Sequence, residues 1–219
     1  MKPFLVIAVL GAATACSPED TGRESAALSD SGMSAMAGSA DASISAAAAH
    51  LISDSGIGPF QPGLSLGEFR ERAADRLTRY DPYYRVDLSA LCVEEDAILH
   101  VCGLVAFDEI ESDTAEVRLV VTDNAAYRTA EGVGPGARVS DVVDIYGPAT
   151  LYFSYNNEAR EYVEFANGPE NVVFRAASAE VEQFAGFYDL GAGSEYFETT
   201  TYRPGTQIGS VEVHAPTIP

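Results

Sequence analysis

Hydrophobic and polar positions change period along the chain, and each change marks an element. Leu66, Phe69, Ala73, Leu77 and Tyr80 recur at helical spacing, with charged residues between them. That pattern predicts an amphipathic helix, and Ser65 with Glu68 gives it a capping box. Val139, Val142, Val143 and Tyr146 fall at i, i+3, i+4 and i+7, predicting a second helix that stops at Gly147-Pro148. Elsewhere the period shortens. "AILHVCGLVAFDEI" and "EVRLVVTD" follow the first helix, and "LYFSYNNEAREYVEFA" and "ENVVFRAA" follow the second. These runs predict strands, and Asn156-Asn157 between two aromatic alternating runs predicts a hairpin turn. "YFETTTYRPG" and "GSVEVHA" predict the last strands. Helix, strands, helix, strands is the order of an α+β fold, with helices packed on one face of a mostly antiparallel sheet.

The two helices sit in similar frames. "GIGPFQPGLSLGEFRERAADRL" begins at Gly56 and "EGVGPGARVSDVVDIYGPATL" at Glu131. Aligning Pro62-Gly63 with Pro135-Gly136 matches an Ile/Val-Gly-Pro element, a Pro-Gly turn and a helix start. The turn needs a backbone conformation that glycine adopts cheaply. A repeat of this length suggests units that share one core, here modules 51–126 and 127–219 within a domain 51–219.

The glycine turn, helix and strand meander resemble the repeat of β-lactamase-inhibitor-protein-like domains and of the small lipoprotein of the outer-membrane barrel-assembly machine. The stretch from Tyr127 to Ala149, "YRTAEGVGPGARVSDVVDIYGPA", also resembles a segment of uncharacterised bacterial secreted proteins. The resemblance implies protein–protein binding or envelope scaffolding, not chemistry.

Ahead of the domain the pattern is different. Lys2, the apolar run "FLVIAVL" and small residues up to Ala15 have the layout of a secretory signal over 1–15. The run is too short for a permanent span, which needs ~20 apolar residues. "ATAC" ending at Cys16 resembles the lipobox of bacterial lipoproteins, with Ala13 where that family usually has a larger aliphatic. The resemblance implies acylation of Cys16 by three chains and membrane attachment through the N-terminal lipid. Ser17 in place of Asp points to the outer membrane, facing the periplasm. The alternative is plain secretion after an A-x-A cleavage at Ala15. Residues 16–50, "CSPEDTGRESAALSDSGMSAMAGSADASISAAAAH", hold no aromatic and few large aliphatic residues. Such a stretch reads as a disordered tether with a reach of roughly 30–35 Å.

Composition narrows the partners. Past Ala15 the chain carries 12 Arg, no Lys and 33 Asp and Glu, a charge of −21. That surface repels nucleic acid, whose binding rests on phosphate neutralisation, and it repels anionic headgroups. An envelope protein is the expected partner, and no cofactor is expected.

Candidate chemistry is sparse. Of three cysteines, Cys92 and Cys102 predict a disulfide that clips a hairpin; a redox or metal site with His100 is the alternative. On a strand His100 would share a face with Cys102. His50 and His214 are scattered. Arg72, Arg76 and Arg79 fall on one arc of the first helix. They are candidates for an anion or an acidic partner loop, or for i,i+4 pairs from Glu68 and Asp75. "EED" at Glu94 and "DEIESD" from Asp108 suit calcium, as in a calcium-dependent adhesive module, or solvated turns. Glu94, Asp108 and Glu164 are the acids that a hydrolase of envelope polymers would use, if two stood ~5–9 Å apart. Tyr152, Phe153, Tyr155, Tyr162 and Phe165 form an aromatic hairpin, for sugar stacking or for cross-strand packing.

Overall fold

The computed structural model describes residues 49–80, 87–178, 180, 183–191 and 193–215. The signal sequence, Cys16 and the tether as far as residue 48 lie outside them.

A two-stranded hairpin, β1 (Ile52–Ser53) and β2 (Gly56–Ile57), precedes helix α1 (Leu66–Ala73). Strands β3 (Leu77–Tyr80), β4 (Leu88–Glu95), β5 (Ile98–Ala106) and β6 (Leu119–Thr122) follow. Helix α2 (Val139–Tyr146) leads into β7 (Ala149–Ser154), β8 (Glu161–Phe165), β9 (Val172–Ala177), β10 (Tyr196–Thr199) and β11 (Gln207–His214). Strands β3 to β11 make one nine-stranded sheet in the order β10-β7-β8-β9-β11-β6-β5-β4-β3. Every neighbouring pair in it is antiparallel.

This corrects the α+β expectation: the fold is β-rich. Nine strands span about 38 Å across the sheet, whereas an eight-residue helix is about 12 Å long. Two such helices cannot form a layer. The inner face is covered instead by mixed structure: Ile52, Ile57, Phe60, Leu64, Tyr127 and Val133 from the hairpin and loops join Leu66, Phe69, Val139 and Val142 from the helices. Phe69 of α1 lies so close to β5 that a Cβ on Gly103 would come within 2.8 Å of its ring.

α1 ends earlier than its apolar stripe. Ala74 takes φ 52°, and the chain returns as β3, so Leu77 and Tyr80 belong to a strand. The Ser65–Glu68 capping box is formed. α2 ends at Gly147, φ 81°, as its sequence predicts.

The same contacts recur around both helices. Gly63 and Gly136 both sit at φ 84°. Gly63 donates its N–H to Val117, and Gly136 donates to Ile208, each at 2.7 Å. Leu66 donates to Ala115 and Val139 to Thr206 at the two helix starts. Bridges Ser65–Glu116 and Arg138–Gln207 complete the match. Each helix is thus pinned by its glycine turn to the strand that closes its own meander, or to the residues leading into it. Those closing strands, β6 and β11, pair at the centre of the sheet.

Candidate functional site

The arginines do not make a free basic cluster. Only Arg72 of the three is helical; Arg76 lies on the turn after α1, and Arg79 on β3. Arg72 donates to the carbonyl of Pro59 at 2.5 Å, Arg76 pairs with Glu95 at 3.1 Å, and Arg79 pairs with Glu111. Arg70 pairs with Asp113. The expected Glu68–Arg72 pair gives way to the cap: Ser65 donates its N–H to Glu68 at 2.8 Å, and this bond chiefly holds the Glu68 carboxyl below its usual range. Residues of both acidic clusters therefore hold arginines. Such exposed pairs contribute little each.

Cys92 and Cys102 are bonded and directly opposed across β4 and β5, with Cα atoms 4.0 Å apart. His100 does not share their face. The register shifts between Val93 and Glu94, so Val101 opposes Val93 and Leu99 opposes Glu94. This β-bulge leaves Leu99 against the cysteines and puts the His100 ring 6.2 Å from Tyr127. His50 meets the same tyrosine edge-on at 4.9 Å, while His214 pairs with Glu212 at 2.9 Å. Among the described residues no three His, Cys, Asp or Glu side chains gather as a metal site. The acids are also apart: Glu94 on β4 and Glu164 on β8 are five strand spacings apart in the sheet order, about 24 Å of sheet. Asp108 lies beyond the end of β5, in the 3-10 turn Phe107–Glu109.

The aromatic hairpin divides between two faces. Phe153 and Phe165 point into the core. Phe153 stacks on Phe184 at 4.2 Å and on Phe197 at 5.1 Å, with Tyr188 edge-on at 4.8 Å. Tyr155 is exposed in the turn. Tyr152 and Tyr162 point the other way, away from the helices. Their rings stack at 5.7 Å, and Tyr196 of β10 joins Tyr152 at 6.0 Å.

Strand register arranges this outer face in rows. Glu198, Tyr152, Tyr162, Arg175 and Ser210 oppose one another in turn from β10 to β11. Glu164 stands one step along β8 from this row, and Glu212 one step along β11. Burial varies along the row: Glu198 is exposed, Tyr152 and Arg175 are half-buried, and Tyr162 and Ser210 are buried. Burial first, then the charges of Glu164 and other neighbours, push the Tyr152 hydroxyl up to about 12. Burial and the carboxylates Glu198 and Glu164 raise Tyr196 as well. Among the described residues the buried hydroxyl of Ser210 has no hydrogen-bond partner. Beside the row a cleft of about 360 Å³ is lined by Tyr152, Glu164, Pro169, Glu170 and Val173. Among the described residues neither Glu164 nor Glu170 has an ion pair.

Sequence reasoning missed Glu161. Its carboxylate is buried at an inward position of β8. It accepts the N–H of Ala185 and of Gly186 at 2.6 Å and the hydroxyl of Tyr188 at 2.7 Å. Burial and this bond raise the Tyr188 hydroxyl far above its ordinary value. The signal was present in the alternation: in "EYVEF" Glu161 shares parity with Val163 and Phe165, so it had to be inside. A second buried polar group, the Tyr146 hydroxyl, accepts from Thr129 at 2.8 Å and donates to Glu131 at 2.7 Å. Burial leads in raising it to about 12.

The arrangement offers an aromatic platform with carboxylates and a shallow cleft. Among the described residues it brings together no nucleophile with a base. No protein-family description and no curated protein matches this chain. Among solved structures, the chain is similar to the uncharacterised protein yfeY from Escherichia coli, at 13% identity and a TM-score of 0.45, over 75% of this chain and 99% of that one.

Proposed function

We propose that the protein is a lipid-anchored, non-catalytic binding protein of the cell envelope that holds a partner protein on its outer sheet face. One observation carries the binding reading: Tyr152, Tyr162 and Tyr196 line up across three strands on the face turned away from the helices. Tyrosine gives large, rigid contact area with a polar tip, and it is enriched where proteins meet. The anchoring reading rests on Cys16. Cys92 and Cys102 satisfy each other, which leaves Cys16 as an odd thiol that acylation would occupy. The tether would let the domain search a shell of roughly 30–35 Å from the membrane, in the periplasm at the outer membrane.

Two measurements test this. Intact mass of the protein made with its own signal in a Gram-negative host should show a diacylglyceryl group plus an acyl chain, lost in Cys16→Ser. An unmodified chain would overturn the anchor. A photo-crosslinking residue at Tyr196 should capture a discrete envelope protein, whereas the same residue at Ile98 or Phe107, equally exposed on the other half, should not. Equal capture at all three positions, or none at Tyr196, would overturn the binding face.

A further inference from the structure

The geometry points to a cationic, extended protein segment as the occupant of the outer face, with an arginine seated in the cleft beside Tyr152. This inference rests on the binding-face reading above and adds the partner's chemistry.

The argument starts with charge. On this face Glu164 and Glu198 are exposed and Glu212 is buried, and among the described residues Arg175 is the cation in the row with them. The cleft adds Glu170. Glu164 and Glu170 line one small cavity with no ion pair between them and any described cation. Several acids of this chain are already occupied. Glu95, Glu111, Asp113 and Glu158 each hold an arginine of the chain itself. Twelve arginines past the signal face 33 acids, so many carboxylates go without one, and in the cleft two of them stand beside an aromatic wall.

The aromatic wall narrows the choice. Tyr152 packs between the Tyr162 and Tyr196 rings, 5.7 and 6.0 Å away. A guanidinium at such a ring gains cation–π attraction, and its planar fork pairs with a carboxylate at the same time. A compact ammonium manages the second less well. A simple anion or an anionic lipid surface is repelled by the same carboxylates. The tyrosine row runs across three strands, so an extended segment lying along it meets Tyr196, Tyr152 and the cleft in turn. The cleft, about 360 Å³, has room for an arginine side chain.

The test uses the full mature chain and a defined probe, an extended peptide of alternating Arg and Ser, titrated in low salt. The chain has no Trp, so tyrosine emission follows the titration, and Tyr152→Leu and Tyr155→Leu tie the change to this face. A peptide with Glu in place of Arg serves as the control. Glu164→Gln with Glu170→Gln should weaken the Arg peptide about tenfold. Asp108→Asn with Glu109→Gln, an equal charge change at two other exposed acids, should leave it within about twofold. Tyr152→Leu should weaken it while Tyr155→Leu does not. Equal weakening by both acid pairs would mean that general acidity attracts the peptide, and would overturn the site. Binding of the Glu peptide, or no saturable binding of the Arg peptide, would overturn the partner chemistry. If Tyr196 still crosslinks one envelope protein in that case, the binding face stands and only the cationic segment falls.

Discussion

On the face away from the helices, β4, β5 and β6 present Leu88, Ala90, Leu104, Leu119 and Val121 around the Cys92–Cys102 bridge, all buried. On the same face β10, β7 and β8 present three tyrosines and exposed Glu164 and Glu198. Both sides of the β6–β11 seam share a pinned helix followed by four antiparallel strands, and the second side adds β10 at its far edge. What differs is the side chains at the outward positions. One half uses them to close a second small core, and the other sets polar aromatics there, with Tyr196 exposed, Tyr152 half-buried and Tyr162 buried. The scaffold therefore does not dictate the surface, and the half that is chemically rich is the half to search for a partner.

Leu104 and Tyr196 give the widest contrast. Leu104 is fully buried in the small cluster. Leu104→Ala should cost ~2–5 kcal/mol in chemical denaturation, through lost burial and the cavity left behind. Tyr196 is 52% exposed, and Tyr196→Ala should stay within ~0.5 kcal/mol. Similar losses for both would mean that the two outer faces serve the same structural end.

The disulfide belongs to the closed half. It joins residues ten apart in sequence, so Cys92→Ala with Cys102→Ala should cost ~2–3 kcal/mol by freeing the unfolded chain. Crosslinking at Tyr196 should persist at temperatures where the variant stays folded. Loss of that crosslink would show that the two halves are coupled.

In the tyrosine half the matching support is Glu161. Glu161→Gln places an amide N–H₂ against the N–H donors of Ala185 or Gly186, or against the Tyr188 hydroxyl. The expected loss is ~1–2 kcal/mol, since a hydrogen bond to a charged group is replaced by a poorer one. Hydrogen exchange should speed up at Ala185 and Gly186 and stay unchanged at Cys102 and Val121. A uniform rise would make Glu161 a global support instead of a local latch.

Much of this was legible from local pattern. Val139, Val142 and Tyr146 with Gly147 specified α2, and Ser65 with Glu68 specified the start of α1, because caps and helical stripes are set within a few residues. The end of α1 was not legible. Leu77 continues the stripe in phase, and the departure at Ala74 uses a positive φ without a glycine to announce it. That error carried Arg76 and Arg79 onto a helix they never join and overstated the helical layer. His100 was misplaced for a similar reason, since a one-residue bulge reverses strand parity and leaves no mark in composition. The long-range groups fared worst. The acids that hold Arg70 and Arg79 lie 43 and 32 residues away in sequence, and the three donors to Glu161 lie 24 to 27 residues away. Alternation carries the faces of Tyr152 and Glu161, which the reading of the aromatic hairpin as one unit passed over, but it does not carry what waits there.

The smallest effect bears most directly on the tyrosine row. Tyr152 is pushed from 10.0 up to about 12, first by burial and then by Glu164 and its other neighbours. The folded chain then keeps this proton between pH 10 and 12, where an unfolded tyrosine has released it. The folded state binds more protons across that window, so stability is fully present below pH 10 and falls as pH rises towards 12. Tyr146, also raised to about 12, acts in the same direction from the inner face. Phenolate absorbance of the native chain compared with Tyr152→Phe should therefore differ by one ionisation centred near 12. Glu164→Gln should move that step to lower pH, because it removes a charge that opposes the phenolate. Glu94→Gln, on the closed half, should not move it. A missing step centred near 10 would mean that water reaches the ring freely, and Tyr152 would then be an ordinary surface residue and not part of a desolvated platform.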